Sequence, residues 1–123
     1  MALPRTPDEI LLLHHPRCSK SRATKALLED RGLSFTTRLY LEEPLSSEEL
    51  ADLGDRLGKP IREWTRTKEK AFAEAGLTRD STEEALRAAL VEAPILMERP
   101  IVIRGRRAAI GRPPENVASL LED

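Results

Sequence analysis

The sequence predicts an α/β fold in which a four-stranded mixed sheet carries an inserted block of helices. Two observations support this prediction. A strand, a helix and a second strand follow one another within the first 40 residues, and a hairpin with a final helix follows residue 100. The polar stretch between them has helix start and stop signals but no strand pattern.

The N-terminal third has the pattern of a βαβ unit. An apolar run predicts a strand over 10–14, a helix follows over 19–31, and β-branched and aromatic residues predict a second strand over 34–40. The helix has apolar residues at helical spacing at 23, 26 and 27. Because such crossovers join parallel strands, the loop after the first strand lies at the carboxyl edge of the sheet, where ligands of α/β folds usually bind.

The middle of the chain predicts a helical block. Ser46 to Glu49 have the pattern of a capping box, which starts a helix that ends at Gly58. Three further helical segments are expected over 61–64, over 66–75 and from Ser81 to Pro94. The block contains no histidine or cysteine. We interpret it as a cap packed on the sheet, with Arg66 as the one residue expected to act in the site.

The last third returns to strands. Residues 101–104 and 107–110 flank a Gly-Arg turn and predict a hairpin. A final helix is expected to direct Val117, Leu120 and Leu121 inward. The order β-α-β, helices, β-β-α is the thioredoxin-like plan. Such folds often hold the proline before the third strand in cis, so the analogy implies a cis Arg99–Pro100 bond and a structural role for Pro100.

Length and composition predict one soluble domain. The 123 residues are enough for a single core over 9–123, preceded by a flexible arm over 1–8. A net charge of −1 and 3% aromatic residues give no basis for binding nucleic acid or an anionic membrane. One cysteine excludes an internal disulfide and a tetracysteine zinc site. With no apolar stretch suited to a signal peptide or membrane span, a cytoplasmic location is expected.

Cys18 lies in the loop between the first strand and the first helix. The serine-rich segment behind it is typical of a helix N-terminus, where unpaired N–H groups and the helix dipole favour anions. Arg17 and Arg22 would further stabilise a thiolate or a bound oxyanion. Most lone cysteines are small buried hydrophobic residues. Here the neighbouring histidines, arginines and serines are unsuited to an apolar core, which favours a functional thiol.

Four motifs, in the same order, resemble those of the glutathione- and glutaredoxin-coupled arsenate reductases, in the YfgD-like branch of the ArsC/Spx-type family. They are His14-x-Pro16-x-Cys18-x-x-Ser21-Arg22, Leu39–Glu42, Leu96–Val102 and Gly111–Pro113. The resemblance covers about residues 9–121. It implies that Cys18 is the nucleophile and that His14 and Ser21 keep its thiol ionised.

The resemblance also implies that three arginines, Arg66, Arg99 and Arg112, bind the oxyanion. Independently of it, Arg99 precedes a predicted strand and Arg112 follows one, so a thioredoxin-like sheet could bring both to the Cys18 loop. Arg66 is a weaker candidate because other basic residues surround it. For His14, a structural role at the strand end stays open beside the electrostatic one.

The chemistry implied is reduction of arsenate to arsenite. Guanidinium forks can orient the tetrahedral dianion while the Cys18 thiolate attacks arsenic. Because the chain has no second cysteine, the other thiol must come from outside. Glutathione is therefore the expected co-substrate and glutaredoxin the expected partner. No bound metal or organic cofactor is implied.

Two alternatives stay open at the level of sequence. A monothiol glutathione-dependent thiol transferase would suit a Cys-x-x-Ser site. An Spx-like redox regulator that binds RNA polymerase would share the fold, although such proteins commonly have Cys-x-x-Cys where position 21 here is Ser. A low-molecular-weight phosphatase site is excluded, because it needs Cys-x5-Arg and position 24 is Thr.

Overall fold

A computed structural model describes residues 2–122 and contains a four-stranded mixed sheet in the order β2-β1-β3-β4. The strands are β1 (Ile10–His14), β2 (Thr36–Leu39), β3 (Ile101–Arg104) and β4 (Arg107–Ile110). The α-helices are α1 (Ser19–Asp30), α2 (Ser47–Leu57), α3 (Lys70–Glu74) and α4 (Glu83–Glu92). Three 3₁₀ segments cover Ile61–Trp64, Pro94–Leu96 and Pro114–Leu120. The predicted thioredoxin-like fold with an inserted helical block is confirmed.

The central strands determine which loops meet at one edge of the sheet. β1 runs parallel to β2 and antiparallel to β3, and β3 pairs with β4 as the predicted hairpin. All residues of β1 and β3 are buried, as expected for interior strands covered on both faces. Leu13 lies opposite Ile101, which in turn pairs with Ile110. The end of β1, the start of β3 and the end of β4 therefore lie side by side.

The chain forms two compact units. One comprises the chain up to Glu43 and from Arg99 onward, and the other comprises Pro44–Glu98. In the first unit, a core cluster joins β1 and β3 to α1 and the last 3₁₀ segment through Ile10, Leu12, Leu28, Val102, Val117, Leu120 and Leu121. Each such side chain contributes about 1.5–3 kcal/mol when fully buried.

Helix α1 is present where the sequence predicts it, but its buried face differs from the apolar spacing. Ala23 and Ala26 are exposed, whereas Ser21, Thr24 and Leu28 are buried. The cause is a polar contact: the Ser21 hydroxyl is hydrogen-bonded at the end of β1, which turns that side of the helix toward the sheet. Of the three apolar positions noted in the sequence, only Leu27 packs against the core cluster, so apolar spacing alone does not identify the buried face.

The second unit confirms the predicted capping box. The Ser46 hydroxyl accepts the Glu49 N–H at 3.1 Å, and the Glu49 carboxylate accepts the Ser46 N–H at 3.0 Å. The helix predicted over 66–75 is shorter and covers Lys70–Glu74; before it, the Arg66 N–H donates to the carbonyl of Leu96 at 2.7 Å. Thr65 pairs with Met97 in an isolated bridge, so this segment is extended.

The C-terminal helix is a 3₁₀ helix rather than an α-helix. Its first turn closes through a bond from the Asn116 N–H to the carbonyl of Pro113, a separation of three residues. The Arg99–Pro100 bond is cis, as the fold analogy implied, and the Arg112–Pro113 bond is also cis, which was not predicted.

The predicted single domain over 9–123 and flexible arm over 1–8 stay predictions. Met1 and Asp123 lie outside the described residues, and within the arm Leu3 and Pro4 are buried. Across residues 2–122, none of the helices has the length and apolar character needed to cross a membrane.

Candidate active site

Cys18 occupies the N-cap of α1. Its extended backbone (φ −91°, ψ 125°) directs the chain from β1 into the helix, and its own N–H donates to the carbonyl of His15 at 3.0 Å. The half-buried thiol has a lowered pKa: burial opposes ionisation, but hydrogen bonds from the N–H groups of Ser21 and Lys20 and from the Arg99 guanidinium outweigh it. The predicted anion-favouring position thus has identified donors.

Two arginines, distant from Cys18 in the chain, lie beside its thiol. Nη1 of Arg112 is 3.7 Å from Cys18 Sγ and donates to the carbonyl oxygen of Arg99 at 3.1 Å. The Arg99 side chain is buried and hydrogen-bonds the Cys18 sulfur. The fold explains this convergence, because Arg99 precedes β3 and Arg112 follows β4 at the sheet edge where β1 ends.

His14 and Ser21 form a polar contact beneath the thiol. The His14 Nδ1 and Ser21 Oγ atoms are 2.6 Å apart, and Ser21 Oγ also accepts the His15 N–H at 3.0 Å. Burial, helped by the charges of Lys25, His15 and Arg22, lowers the pKa of His14, so its ring is neutral near pH 7. The neutral His14 ring is thus hydrogen-bonded to the first turn of α1, which supplies the N–H donors, and its role in keeping the thiol ionised stays a prediction.

The other two predicted arginines have different partners. Arg22 is exposed, and its Nη1 donates to the carbonyl of Pro16 at 2.9 Å; its thiolate-stabilising role stays a prediction. Arg66 belongs to the second unit, where Nε and Nη1 donate to the carboxylates of Glu69 and Glu98 at 3.0 and 2.9 Å.

The chemistry available at this site is that of a thiolate beside fixed cations. A polarised sulfur nucleophile next to two guanidinium groups can bind a tetrahedral anion and attack its central atom. Within the described range 2–122, no group of three or more His, Cys, Asp or Glu side chains is arranged to hold a metal ion.

Two parts of the site were not identified from sequence. The N–H groups of Lys20 and Ser21 are the donors to the sulfur, and the N-cap position of Cys18 was the available signal. The cis bond at Arg112–Pro113 had no such signal, since only about 5–6% of X–Pro bonds in folded proteins are cis.

Comparison with known proteins gives consistent matches over nearly the whole chain. The ArsC family model matches residues 13–120. An arsenate reductase of Neisseria meningitidis serogroup A is 42% identical over 115 residues, covering 92% of this chain and 98% of that protein. The uncharacterized protein YfgD of Escherichia coli K12 is 45% identical over 115 residues, covering 92% and 97%. The solved structure of an arsenate reductase from Vibrio cholerae superposes with a TM-score of 0.87 at 41% identity, covering 94% and 99%.

Proposed function

The chain belongs to the ArsC family, and from that premise we propose that it reduces arsenate to arsenite with Cys18 as the nucleophile. The observation that carries the proposal is the contact between a thiol of lowered pKa and two guanidinium groups, those of Arg99 and Arg112. The Neisseria meningitidis and Vibrio cholerae proteins described as arsenate reductases share 42% and 41% of the sequence with this chain.

Arsenate binding is assigned to Arg99 and Arg112, with Arg66 as a weaker contributor. The substrate is a tetrahedral dianion resembling phosphate, and planar guanidinium forks match pairs of its oxygens. Cys18 Sγ lies 3.7 Å from Nη1 of Arg112, so an anion held by that arginine is within reach of the sulfur. The arginines thus supply both affinity and orientation for attack.

The first chemical step forms one bond and breaks another. The Cys18 thiolate attacks arsenic, a sulfur–arsenic bond forms, and one arsenic–oxygen bond breaks as that oxygen leaves as water. The protons for the leaving water come from solvent or from the bound arsenate. Donors near the sulfur stabilise the negative charge that builds on the arsenate oxygens.

The second step transfers two electrons. A thiol of glutathione attacks the Cys18 sulfur of the adduct, so arsenic(V) leaves as arsenite, arsenic(III), and a Cys18–glutathione disulfide forms. In sum, arsenate and two thiols give arsenite, one disulfide and water. Glutaredoxin with further glutathione then reduces the disulfide. A second thiol must come from another molecule, because Cys18 is the only cysteine of the 123 residues.

A cytoplasmic location is part of the proposal, because the cycle requires a reducing compartment with a glutathione pool. Glutathione acts as a co-substrate and not as a resident cofactor. Arginines beside the sulfur favour a reductase over a polymerase-binding regulator, since they are needed for an oxyanion and superfluous for polymerase contact.

A coupled assay with arsenate, glutathione, glutaredoxin, glutathione reductase and NADPH tests the proposal. The wild type should oxidise NADPH only when arsenate is present, and Cys18→Ser should abolish turnover. Ser19→Ala, which alters the exposed neighbour, is the matched control. Full activity with thioredoxin and no glutathione would contradict the electron route. Exchange of glutathione disulfides without arsenate turnover would instead establish the thiol-transferase alternative.

A further inference from the structure

Gly111 occupies a place in which no larger residue fits. It directly follows β4 and precedes Arg112. A Cβ atom built on Gly111 would lie 2.5 Å from Thr24 Oγ1 and 2.9 Å from Pro100 Cγ, both closer than real Cβ contacts. Three segments distant in sequence therefore meet at the Gly111 Cα.

Each of these three segments carries one part of the candidate site. Thr24 lies in α1, whose first turn supplies the N–H donors to Cys18 Sγ. Pro100 is the neighbour of Arg99, and Gly111 is the neighbour of Arg112. The Gly111 N–H also donates to the carbonyl of Pro100 at 2.9 Å, which ties the two arginine-bearing segments together.

The surrounding side chains have little freedom to yield. Thr24 is fully buried, and its hydroxyl has no hydrogen-bond partner within the described part of the chain. Rotation of Oγ1 is restricted, because a β-branched side chain has few rotamers in a helix and Thr24 Cγ2 already lies in contact with the same point at 3.4 Å. The ring of Pro100 fixes its own backbone, and its Cγ can give way only by a change of ring pucker. A side chain at position 111 would therefore have to move backbone.

We propose that Gly111 is a positioning residue: its lack of a side chain lets α1 close onto the segments that bear Arg99 and Arg112, and this sets the distance from both guanidinium groups to Cys18 Sγ. The inference deepens the proposed function, on which it rests for the identity of the anion. It assigns a task to a residue that touches neither the substrate nor the sulfur.

The physical consequence is a loosened anion site. Misplacement of about 1 Å at a reacting centre can lower a rate by about a hundredfold. A Cβ at position 111 pushes α1 away from both arginine segments, so the 3.7 Å contact between Arg112 Nη1 and Cys18 Sγ lengthens. Anion affinity and thiolate stability should then fall together.

Gly111→Ala is the direct test, with two readouts besides turnover. The pH midpoint of Cys18 alkylation by iodoacetamide should rise. The concentration of inorganic phosphate that protects half of Cys18 from alkylation should increase by about tenfold or more. The value of kcat/KM for arsenate should fall by about the same factor. Thr24→Ala/Gly111→Ala, which removes the 2.5 Å conflict, should recover most of each readout.

Gly54→Ala is the matched control. Gly54 lies inside α2, and a Cβ there would make only ordinary contacts of 3.6 Å with the carbonyl of Lys59 and with Trp64. This variant should keep wild-type alkylation and phosphate protection. Circular dichroism and thermal melts check that all variants fold.

The outcomes are separable from those of the proposed function. Wild-type alkylation and phosphate protection in folded Gly111→Ala would overturn the inference, as would failure of the double variant to recover them. If Gly111→Ala does not fold, Thr24→Leu approaches the same contact from the helix side and must produce the same shifts. If wild type does not reduce arsenate yet these shifts occur, the positioning role stands and the proposed substrate is wrong.

Discussion

Arg112 and Arg66 carry the same side chain but lie in opposite electrostatic surroundings. Nη1 of Arg112 contacts a thiol sulfur and a backbone carbonyl, neither of which cancels its charge while the sulfur is protonated. Arg66 donates to two carboxylates, those of Glu69 and Glu98. A dianion approaching Arg66 would have to displace both carboxylates, whereas a dianion approaching Arg112 meets cations. The positive charge of an arginine is available only where the fold has not already neutralised it.

Removing the arginines beside the thiol should produce the largest change. Arg99→Ala or Arg112→Ala is expected to lower kcat/KM for arsenate by about ten- to a hundredfold, because charge-assisted contacts of this kind contribute about 1.5–3 kcal/mol each. The coupled assay measures this loss directly. Arg107→Ala, an exposed arginine at the start of β4, is the matched control and should behave as wild type.

Lysine variants separate charge from geometry. Arg99→Lys or Arg112→Lys keeps the charge but loses the planar fork, so each should recover only part of the activity lost in the alanine variant. Should both alanine variants retain wild-type efficiency, the contrast between Arg112 and Arg66 would carry no functional meaning, and arsenate would have to bind elsewhere.

The pKa of the Cys18 thiol sharpens the comparison between Arg112 and Arg66, because it reports the electrostatic surroundings of the thiol in the absence of substrate. The donors around Cys18 lower its pKa, so the alkylation midpoint should lie below the ~8.5 of an unperturbed thiol. Between the lowered folded pKa and ~8.5 the unfolded chain binds more protons, so stability relative to Cys18→Ala should rise with pH in that window and be lost as pH falls through the folded pKa. Urea unfolding across this range measures it. A midpoint at or above ~8.5 would show that burial dominates the donors.

The titration of His14 tests whether the site's positive charge comes from the arginines alone. Its pKa is lowered by burial, so the folded state favours the neutral ring. The stabilisation should be complete above ~6.5 and should fall as pH decreases through the folded pKa, because the unfolded chain takes up the proton first. Urea unfolding at about pH 5 and 7.5 should show a loss for wild type that His14→Asn lacks. Equal losses in both proteins would place the acid sensitivity in another group.

The smallest effect is expected at Arg66. Its two ion pairs involve side chains that are 23–29% exposed, and such pairs typically contribute less than about 1 kcal/mol each. Arg66→Ala should therefore reduce kcat/KM by no more than about threefold. Glu98→Gln, which frees part of the guanidinium, is the complementary variant. A loss at Arg66→Ala as large as at Arg112→Ala would show that the carboxylates yield to the substrate.

The sequence predicts local structure well where the signal is itself local. The capping box from Ser46 to Glu49 is present with both of its hydrogen bonds, and the hairpin after residue 100 has the predicted strand bounds. Both depend on hydrogen bonds between residues a few positions apart, so their formation does not require contacts with distant parts of the chain. The placement of Arg99 and Arg112 could be anticipated only through the predicted order of strands.

Failures of prediction occur where a distant contact overrides the local preference. The segment from Arg66 was expected to be helical, but the bridge between Thr65 and Met97 makes it extended, and the Arg66 N–H donates to the carbonyl of Leu96, 30 positions away. The inner face of α1 is set by Ser21, whose hydroxyl is bonded at His14 and His15. Of the two carboxylates that pair with Arg66, that of Glu98 could not be predicted in this way, because it is 32 positions distant, whereas Glu69 is a neighbour three residues away.

The N-cap position of Cys18 implies a trade-off between catalysis and helix stability. Helices favour Ser, Thr, Asp or Asn at this position, because their side-chain oxygens accept the first N–H groups of the helix, whereas the Cys18 sulfur is a weaker acceptor for the same donors. Cys18→Ser should therefore stabilise the protein by up to about 1 kcal/mol at pH values at which the thiol is protonated, and less once the thiolate itself accepts the helix N–H groups. Thermal unfolding at mildly acidic and at alkaline pH would measure both regimes. The inactive Cys18→Ser variant would then be more stable than the wild type. This is the pattern expected when a residue is retained for its reactivity although another residue would stabilise the fold more.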